Sequence, residues 1–252
     1  MLGRILQHPL TRGLAVDDPR TTALRRQIIA TKPFLHRLYS EWYALIGDTL
    51  SDCRRILELG SGAGFFKAVC PTAITSEVFH TPGIDLVADA RTLPFADGAL
   101  DAIVMTDVFH HLQDVAGFLS EASRCVRAGG KLTMLEPWRS PWSQWVYTRI
   151  HPEPFEPLAG WTIPAAGPLS GANGALPWIV FARDAPRFAH DFPTWRVVRL
   201  QPLMPFAYIL SGGVSLRALA PGWLYRPVRA LESQLDPARW AMFAPIELEH
   251  RP

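Results

Sequence analysis

The chain has 252 residues, 48% of them hydrophobic and 19% charged, with a net charge of +2. That length fits one large domain, or one domain with an insertion, and that composition is globular and excludes a disordered chain. The near-neutral balance gives no support to nucleic-acid binding, and Cys53, Cys70 and Cys125 have neither metal spacing nor an even framework, so they read as reduced thiols.

Met1 to Leu14 lack an apolar core of signal-peptide length, and no stretch is apolar and long enough to span a bilayer. A soluble, cytoplasmic protein is expected. Arg4, Arg12, Arg20, Arg25, Arg26, Lys32 and Arg37 outnumber Asp17 and Asp18 in the first forty residues. A solvated helix face explains this best, and contact with a membrane surface stays open. Residues before about Pro19 read as an arm. From Arg20 to Leu50 apolar residues recur at helical spacing, and Pro33 predicts a break into two helices.

Alternation follows. Strands are predicted over Arg55–Leu59, Ala73–Val78, Ile84–Ala88, Asp101–Thr106 and Lys131–Leu135. Helices are predicted over Ala63–Cys70 and Val115–Val126, and Ala128-Gly129-Gly130 reads as a turn. Strands alternating with helices imply a mostly parallel, doubly wound α/β sheet with ligands at the strands' carboxyl ends. Residues 137–190 are crowded with proline and tryptophan and read as a substrate-side insertion. It holds predicted helices over Trp142–Ile150 and Trp178–His190. Trp195–Leu200 and Met242–Leu248 read as the last strands, with a helix over Arg226–Leu235.

The stretch Ile56-Leu57-Glu58-Leu59-Gly60-Ser61-Gly62-Ala63-Gly64 is an apolar strand ending in an acid and a glycine turn. Glycine lets the backbone turn sharply and a ligand approach closely. With it come Asp89-Ala90-Arg91-Thr92-Leu93-Pro94-Phe95, Leu100-Asp101-Ala102-Ile103-Val104, Phe109-His110-His111-Leu112 and Glu121 to Leu132. In this order the motifs resemble the class I S-adenosylmethionine-dependent methyltransferases, in particular the type 11 small-molecule group, over about residues 54–136. The resemblance implies a seven-stranded Rossmann-like fold. It divides the chain into a helical cap (1–50), a cofactor core (54–136), the insertion (137–190) and a C-terminal part of the sheet (191–252), all one domain.

It also implies S-adenosyl-L-methionine as methyl donor and a small organic acceptor, with oxygen favoured as the acceptor atom. Gly60, Ser61, Gly62 and Gly64 would admit the methionyl end, with Glu58 on the amine side. Glu77 would hold the ribose hydroxyls, with Asp85 as its rival. Asp89 and Ala90 would meet the adenine, and Thr106 and Asp107 would border the methionyl side. One departure stands out: eleven residues separate Glu77 from Asp89, where most members carry a helix. A nicotinamide dinucleotide is the competing cofactor, and a non-catalytic partner protein the competing class. The Asp89–Phe95 motif speaks against the first, and intact Glu77 and Asp89 against the second.

His110 and His111 stand after strand four, near the expected methyl group. Packing in the turn explains the pair at least as well as catalysis, and His110 is the first choice for a general base. Glu136 ends strand five and is expected on the pocket rim. His151, Glu153 and Glu156 match no compact metal motif, and no metal is expected. Trp138, Trp142, Trp145, Trp161 and Trp178 read mainly as core, with a few facing an apolar substrate. Asn173 reads as a helix cap or polar pocket lining, and Met204–Gly213 as core.

Overall fold

The apolar runs downstream of Arg55 become neighbouring strands of one sheet. The computed structural model describes residues 8–11, 13–14, 18, 20–151, 153–164, 167 and 171–251. Its strands are β1 (Ile56–Leu59), β2 (Ile74–Glu77), β3 (Leu86–Val87), β4 (Leu100–Thr106), β5 (Val126–Pro137), β6 (Trp195–Leu200) and β7 (Phe243–His250). They lie in the order β3-β2-β1-β4-β5-β7-β6. β1 to β5 pair in parallel, and β7 runs antiparallel to β5 and β6. This is the mostly parallel Rossmann-like sheet expected. β1 is buried throughout and β4 nearly so, which explains sequences that are mostly apolar, with Glu58 and Asp101 as the buried exceptions. The strand order reverses between β1 and β4, and the carboxyl ends of these strands open onto a crevice.

Four helices frame that crevice and the sheet: α1 (Arg20–Thr31), α2 (Pro33–Gly47), α3 (Val115–Cys125) and α4 (Pro141–Arg149). Pro33 divides α1 from α2 by taking the first helical position, where a missing N–H is harmless. α2 buries Phe34, Leu35, Leu38, Trp42, Tyr43 and Ile46, a stripe at helical spacing. α3 starts at Asp114, whose carboxylate accepts from the Gly117 amide at 2.9 Å. A Ser140–Ser143 capping box starts α4.

Several elements differ from expectation. The helix predicted over Ala63–Cys70 is only a 3-10 turn, Phe66–Ala68, because Gly64 packs against Tyr43 and Pro71 follows too soon for further turns. Residues 128–130 lie inside β5, not in a turn. Val126 still pairs with Leu100 before a register shift, and Gly129 absorbs it at φ +72°. The helix predicted over Trp178–His190 is three pieces, Leu176–Trp178, a π-turn Ile179–Arg183, and Ala185–Asp191. Pro186, at the start of the third piece, has no N–H to continue the ladder.

The short link from β2 to β3 is real. Asp85 closes it, accepting from the Thr75 amide at 2.8 Å and the Thr75 hydroxyl at 2.9 Å. Most of the arm before Arg20, including Arg4, Arg12 and Asp17, lies outside the described residues, as do Pro152, Pro168 and Ser170. Among the described residues no helix is long and apolar enough to cross a membrane.

Candidate active site

A cleft of about 430 Å³ opens at the carboxyl ends of β1, β2 and β4. The glycine turn after β1 forms its floor. Gly60 and Gly62 take φ of +64° and +42°, a region side chains rarely adopt. A Cβ on Gly64 would sit 1.9 Å from the Tyr43 hydroxyl, so α2 and the turn meet with no room for a side chain. Arg26 of α1 donates to the Gly62 carbonyl at 3.3 Å.

Two carboxylates face each other across this turn. Glu58 is buried at the end of β1, bonded to Ser61, and forms no ion pair among the described residues. Burial pushes its carboxyl up to about 7. Glu77, at the end of β2, accepts from the Val78 amide at 3.2 Å and from the Gly62 amide. Burial raises its carboxyl as well. Asp89 and Ala90 line the cleft further out. Asp89 is ion-paired to Arg91 at 2.6 Å, which holds its carboxyl below the usual range. Asp85 does not line the cleft, because Thr75 and Lys67 occupy its carboxylate. That removes it as the rival of Glu77.

The opposite wall follows β4. Thr106 and Asp107 line the cleft, and Asp107 stands at φ +61° with its carboxyl pushed up to about 7 by burial. Behind them is a chain of three residues, Glu136, His110 and Glu153. Glu136 is fully buried. Its Oε1 accepts from the Val108 and Phe109 amides, each at 2.8 Å, and its Oε2 from His110 Nδ1 at 2.8 Å. On its other nitrogen, His110 Nε2 stands 3.5 Å from Glu153. Burial works to lower the His110 value, but the bonds to Glu136 and Glu153 outweigh it and hold the proton well above the usual histidine range. The same contact brings Glu153 down to about 2 against the opposing effect of burial.

His111 does line the cleft. Its Nδ1 is 2.9 Å from the Gly171 carbonyl, an acceptor only, so Nδ1 carries the proton and Nε2 does not. Burial, then the neighbouring His110 charge, depress it to about 4, and the ring is neutral at pH 7. Asn173 fastens the insertion to this wall: its amide donates to the His110 carbonyl at 2.9 Å, and its side chain brackets Glu156. It is a staple, not pocket lining.

Three expectations need correction. Glu136 is not on the rim, because the turn 108–110 gathers around it. His110 does not line the cleft, because two carboxylates enclose its ring. Among the described residues no tryptophan lines the cleft. Trp142 instead donates to the Pro205 carbonyl at 2.8 Å and stacks on Trp145, and Trp161 donates to Asp184 at 2.9 Å. The aromatic lining is Tyr39, Tyr43 and Tyr208.

Those tyrosines were not legible as site residues, since each reads as part of an apolar stripe. Glu153 and His151 were visible as ionisable groups, but only the fold brings Glu153 to the histidines. Glu156 points to no shared site and is exposed.

Comparison with known proteins bears directly on this cleft. Residues 57–134 match the family model described as a methyltransferase domain, which spans β1 to β5 and the glycine turn. Residues 57–134 therefore form a methyltransferase domain, the segment over which the family resemblance runs. A demethylmenaquinone methyltransferase of Beutenbergia cavernae is 36% identical over 120 residues, 42% of this chain and 46% of that protein. A malonyl-[acyl-carrier protein] O-methyltransferase of Methylococcus capsulatus is 32% identical over 97 residues, 31% of this chain and 35% of that protein. The chain therefore spans less than half the length of these curated relatives. Among solved structures, geranyl diphosphate C-methyltransferase of Streptomyces coelicolor matches with a TM-score of 0.54 at 16% identity, over 98% of this chain and 92% of that one. A SAM-dependent methyltransferase of Thermotoga maritima matches with a TM-score of 0.56, also at 16%, over 91% and 99%. At that identity the structural likeness establishes the fold of the methyltransferase domain and nothing finer.

Proposed function

We propose that the protein transfers a methyl group from S-adenosylmethionine to an oxygen of a small organic acceptor. The observation that carries this reading is a buried carboxylate, Glu58, with no ion-pair partner among the described residues, beside a glycine turn that has no room for a side chain at Gly64. A cationic ammonium group is the partner such a carboxylate lacks. Gly60, Ser61, Gly62 and Gly64 would admit the methionyl end beside Glu58. Glu77 would accept from the ribose hydroxyls, and Asp89 and Ala90 would meet the adenine. Thr106 and Asp107 would border the methionyl side. When bound, S-adenosylmethionine supplies a methyl group on a sulfonium, open to in-line displacement by an aligned acceptor.

The chain's own residues do the rest. Tyr39, Tyr43 and Tyr208 wall the cleft with aromatic surface, and His151, Glu153 and His111 give its far end a polar face. An acceptor hydroxyl fits that face. His111, neutral at pH 7, takes its proton at Nε2 as general base, and the Glu153 carboxylate stabilises the resulting imidazolium. His110 and Glu136 act through Glu153 and the turn, and are positioning residues. Two relatives are named for demethylmenaquinone and for O-methylation of malonyl-[acyl-carrier protein], and the second name supports oxygen as the acceptor atom.

Incubation with S-adenosylmethionine labelled in the methyl group and fractionated metabolite extracts tests this. Label should move into a fraction as a base-labile or acid-stable oxygen-linked methyl, and His111→Ala should lose most of that turnover while still binding the donor. Transfer only to carbon or nitrogen would overturn the oxygen assignment. No transfer to any fraction, with donor binding intact, would favour the non-catalytic partner.

A further inference from the structure

We infer that His110, His111 and Glu153 form a binding site for one divalent first-row transition-metal ion at the acceptor end of the cleft. Among the described residues, one ligand atom from each of these three side chains lies within 4.8 Å of the other two. The residues come from two distant parts of the chain, so no local sequence run announces the group. The run His151, Glu153, Glu156 that draws attention in the sequence is a different set, and Glu156 is exposed.

The hydrogen bonds around the histidines are those of metal ligands. A ligating imidazole offers one nitrogen to the ion and donates the other N–H to a carboxylate or carbonyl, which fixes its tautomer and orientation. Here both rings do so. His110 Nδ1 is 2.8 Å from Glu136, and His111 Nδ1 is 2.9 Å from the Gly171 carbonyl. In each ring Nε2 remains. The His110 Nε2 stands 3.5 Å from the Glu153 carboxylate, and the two rings lie with centroids 4.1 Å apart.

Ligands of a tetrahedral zinc ion, each about 2.1 Å from the metal, stand about 3.4 Å from one another. The His110–Glu153 spacing already matches. The other spacings, each within 4.8 Å, must close by at most about 1.4 Å, a shift that side-chain rotation can supply. Two imidazoles and one carboxylate suit zinc, iron(II) or cobalt(II) in preference to magnesium or calcium, which favour oxygen-only sets. Three protein ligands leave a coordination position open, and His111 and Glu153 line the cleft. That position suits the oxygen of the acceptor; an ion there takes the His111 Nε2 lone pair, so the general-base role of His111 belongs to the metal-free protein and with metal bound the ion itself would activate the acceptor oxygen. The charge that otherwise sits on the His110 ring would then be supplied by the ion.

Binding needs only the folded chain, so its test stands apart from methyl transfer. Chelator-treated protein is titrated with cobalt(II) chloride and its visible ligand-field bands are recorded. One cobalt per chain is expected, with bands displaced by zinc. Glu153→Gln and His111→Ala should each weaken binding at least tenfold, and His190→Ala, an exposed histidine beside Asp191, should leave it unchanged. In the unaltered protein the ring protons of two histidines should be strongly shifted by bound cobalt, which keeps the test valid where a variant misfolds. Absence of stoichiometric binding, binding undiminished in both ligand variants, or loss of binding in His190→Ala would overturn the site. Donor binding, measured on the metal-free protein, is a separate result that survives any of these outcomes.

Discussion

Replacing Glu136 isolates the positioning chain behind the cleft. Its carboxylate is fully buried and receives the Val108 and Phe109 amides at 2.8 Å, the His110 amide at 3.4 Å and the His110 ring at 2.8 Å. Glu136→Ala leaves two buried amides, the part-buried Val108 amide and an imidazolium without their acceptor. Removing one partner of a buried ion pair costs about 3–5 kcal/mol. For a chain of this size that is a drop in Tm of about 10 °C. Glu136→Gln is the informative contrast. Its carbonyl oxygen still serves the Val108 and Phe109 amides, and its NH2 can donate to His110 Nδ1 once the ring proton moves to Nε2, facing Glu153. The cost should then be about 1–2 kcal/mol. Thermal melts at pH 7 should rank the unaltered protein, Glu136→Gln and Glu136→Ala in that order. An Ala variant melting within about 2 °C of the parent would refute the reasoning, since uncompensated buried donors cannot be that cheap.

Other consequences are as direct. Gly64→Ala should destabilise by about 1–3 kcal/mol, because its Cβ would meet the Tyr43 hydroxyl at 1.9 Å. Adding Tyr43→Phe removes that oxygen and should restore most of the loss in a denaturant titration. If it restores nothing, the clash is not the cause. Glu58 carries its proton up to about 7 in the fold, above its ordinary 4.5. Its contribution to the stability of the free protein is therefore full below about pH 4.5 and is lost as pH rises through about 7, a change of about 3 kcal/mol. If its carboxylate receives the donor's ammonium group, binding below pH 7 releases this proton, and donor affinity falls as pH falls. Calorimetry at pH 6 in buffers of different ionisation enthalpy should show proton release that disappears in Glu58→Gln; equal release in both would exclude this role. Asp85→Ala should cost about 1 kcal/mol by freeing Thr75, with donor affinity unchanged. A marked loss of donor affinity would return Asp85 to the cofactor site.

Much of the glycine-turn side of the cleft was legible because its signals are local. A strand, three glycines and an acid at a strand end are neighbours in sequence, and the fold sets Glu58, Gly60, Gly62 and Glu77 around one cleft. Strands failed only where local signals mislead, as at Ala128–Gly130. There glycines that read as a turn are a bulge inside β5, held by pairing with β4 on both sides. The histidine side of the cleft was legible only in part. His110 looked like a base from its position, but burial between Glu136 and Glu153 takes it off the cleft wall and leaves that place to His111. No spacing rule joins residue 153 to residues 110 and 111, because the insertion folds back and Asn173 pins it there. The tyrosines of the wall are hidden for a related reason: on α2 one helical stripe serves both core and cleft.

Titration of the purified protein with S-adenosylmethionine in a calorimeter tests the central claim most directly. A single saturable site per chain is expected, with affinity reduced at least tenfold in Glu77→Ala. The absence of binding, or equal affinity in Glu77→Ala, would contradict the assignment of this cleft to the methyl donor.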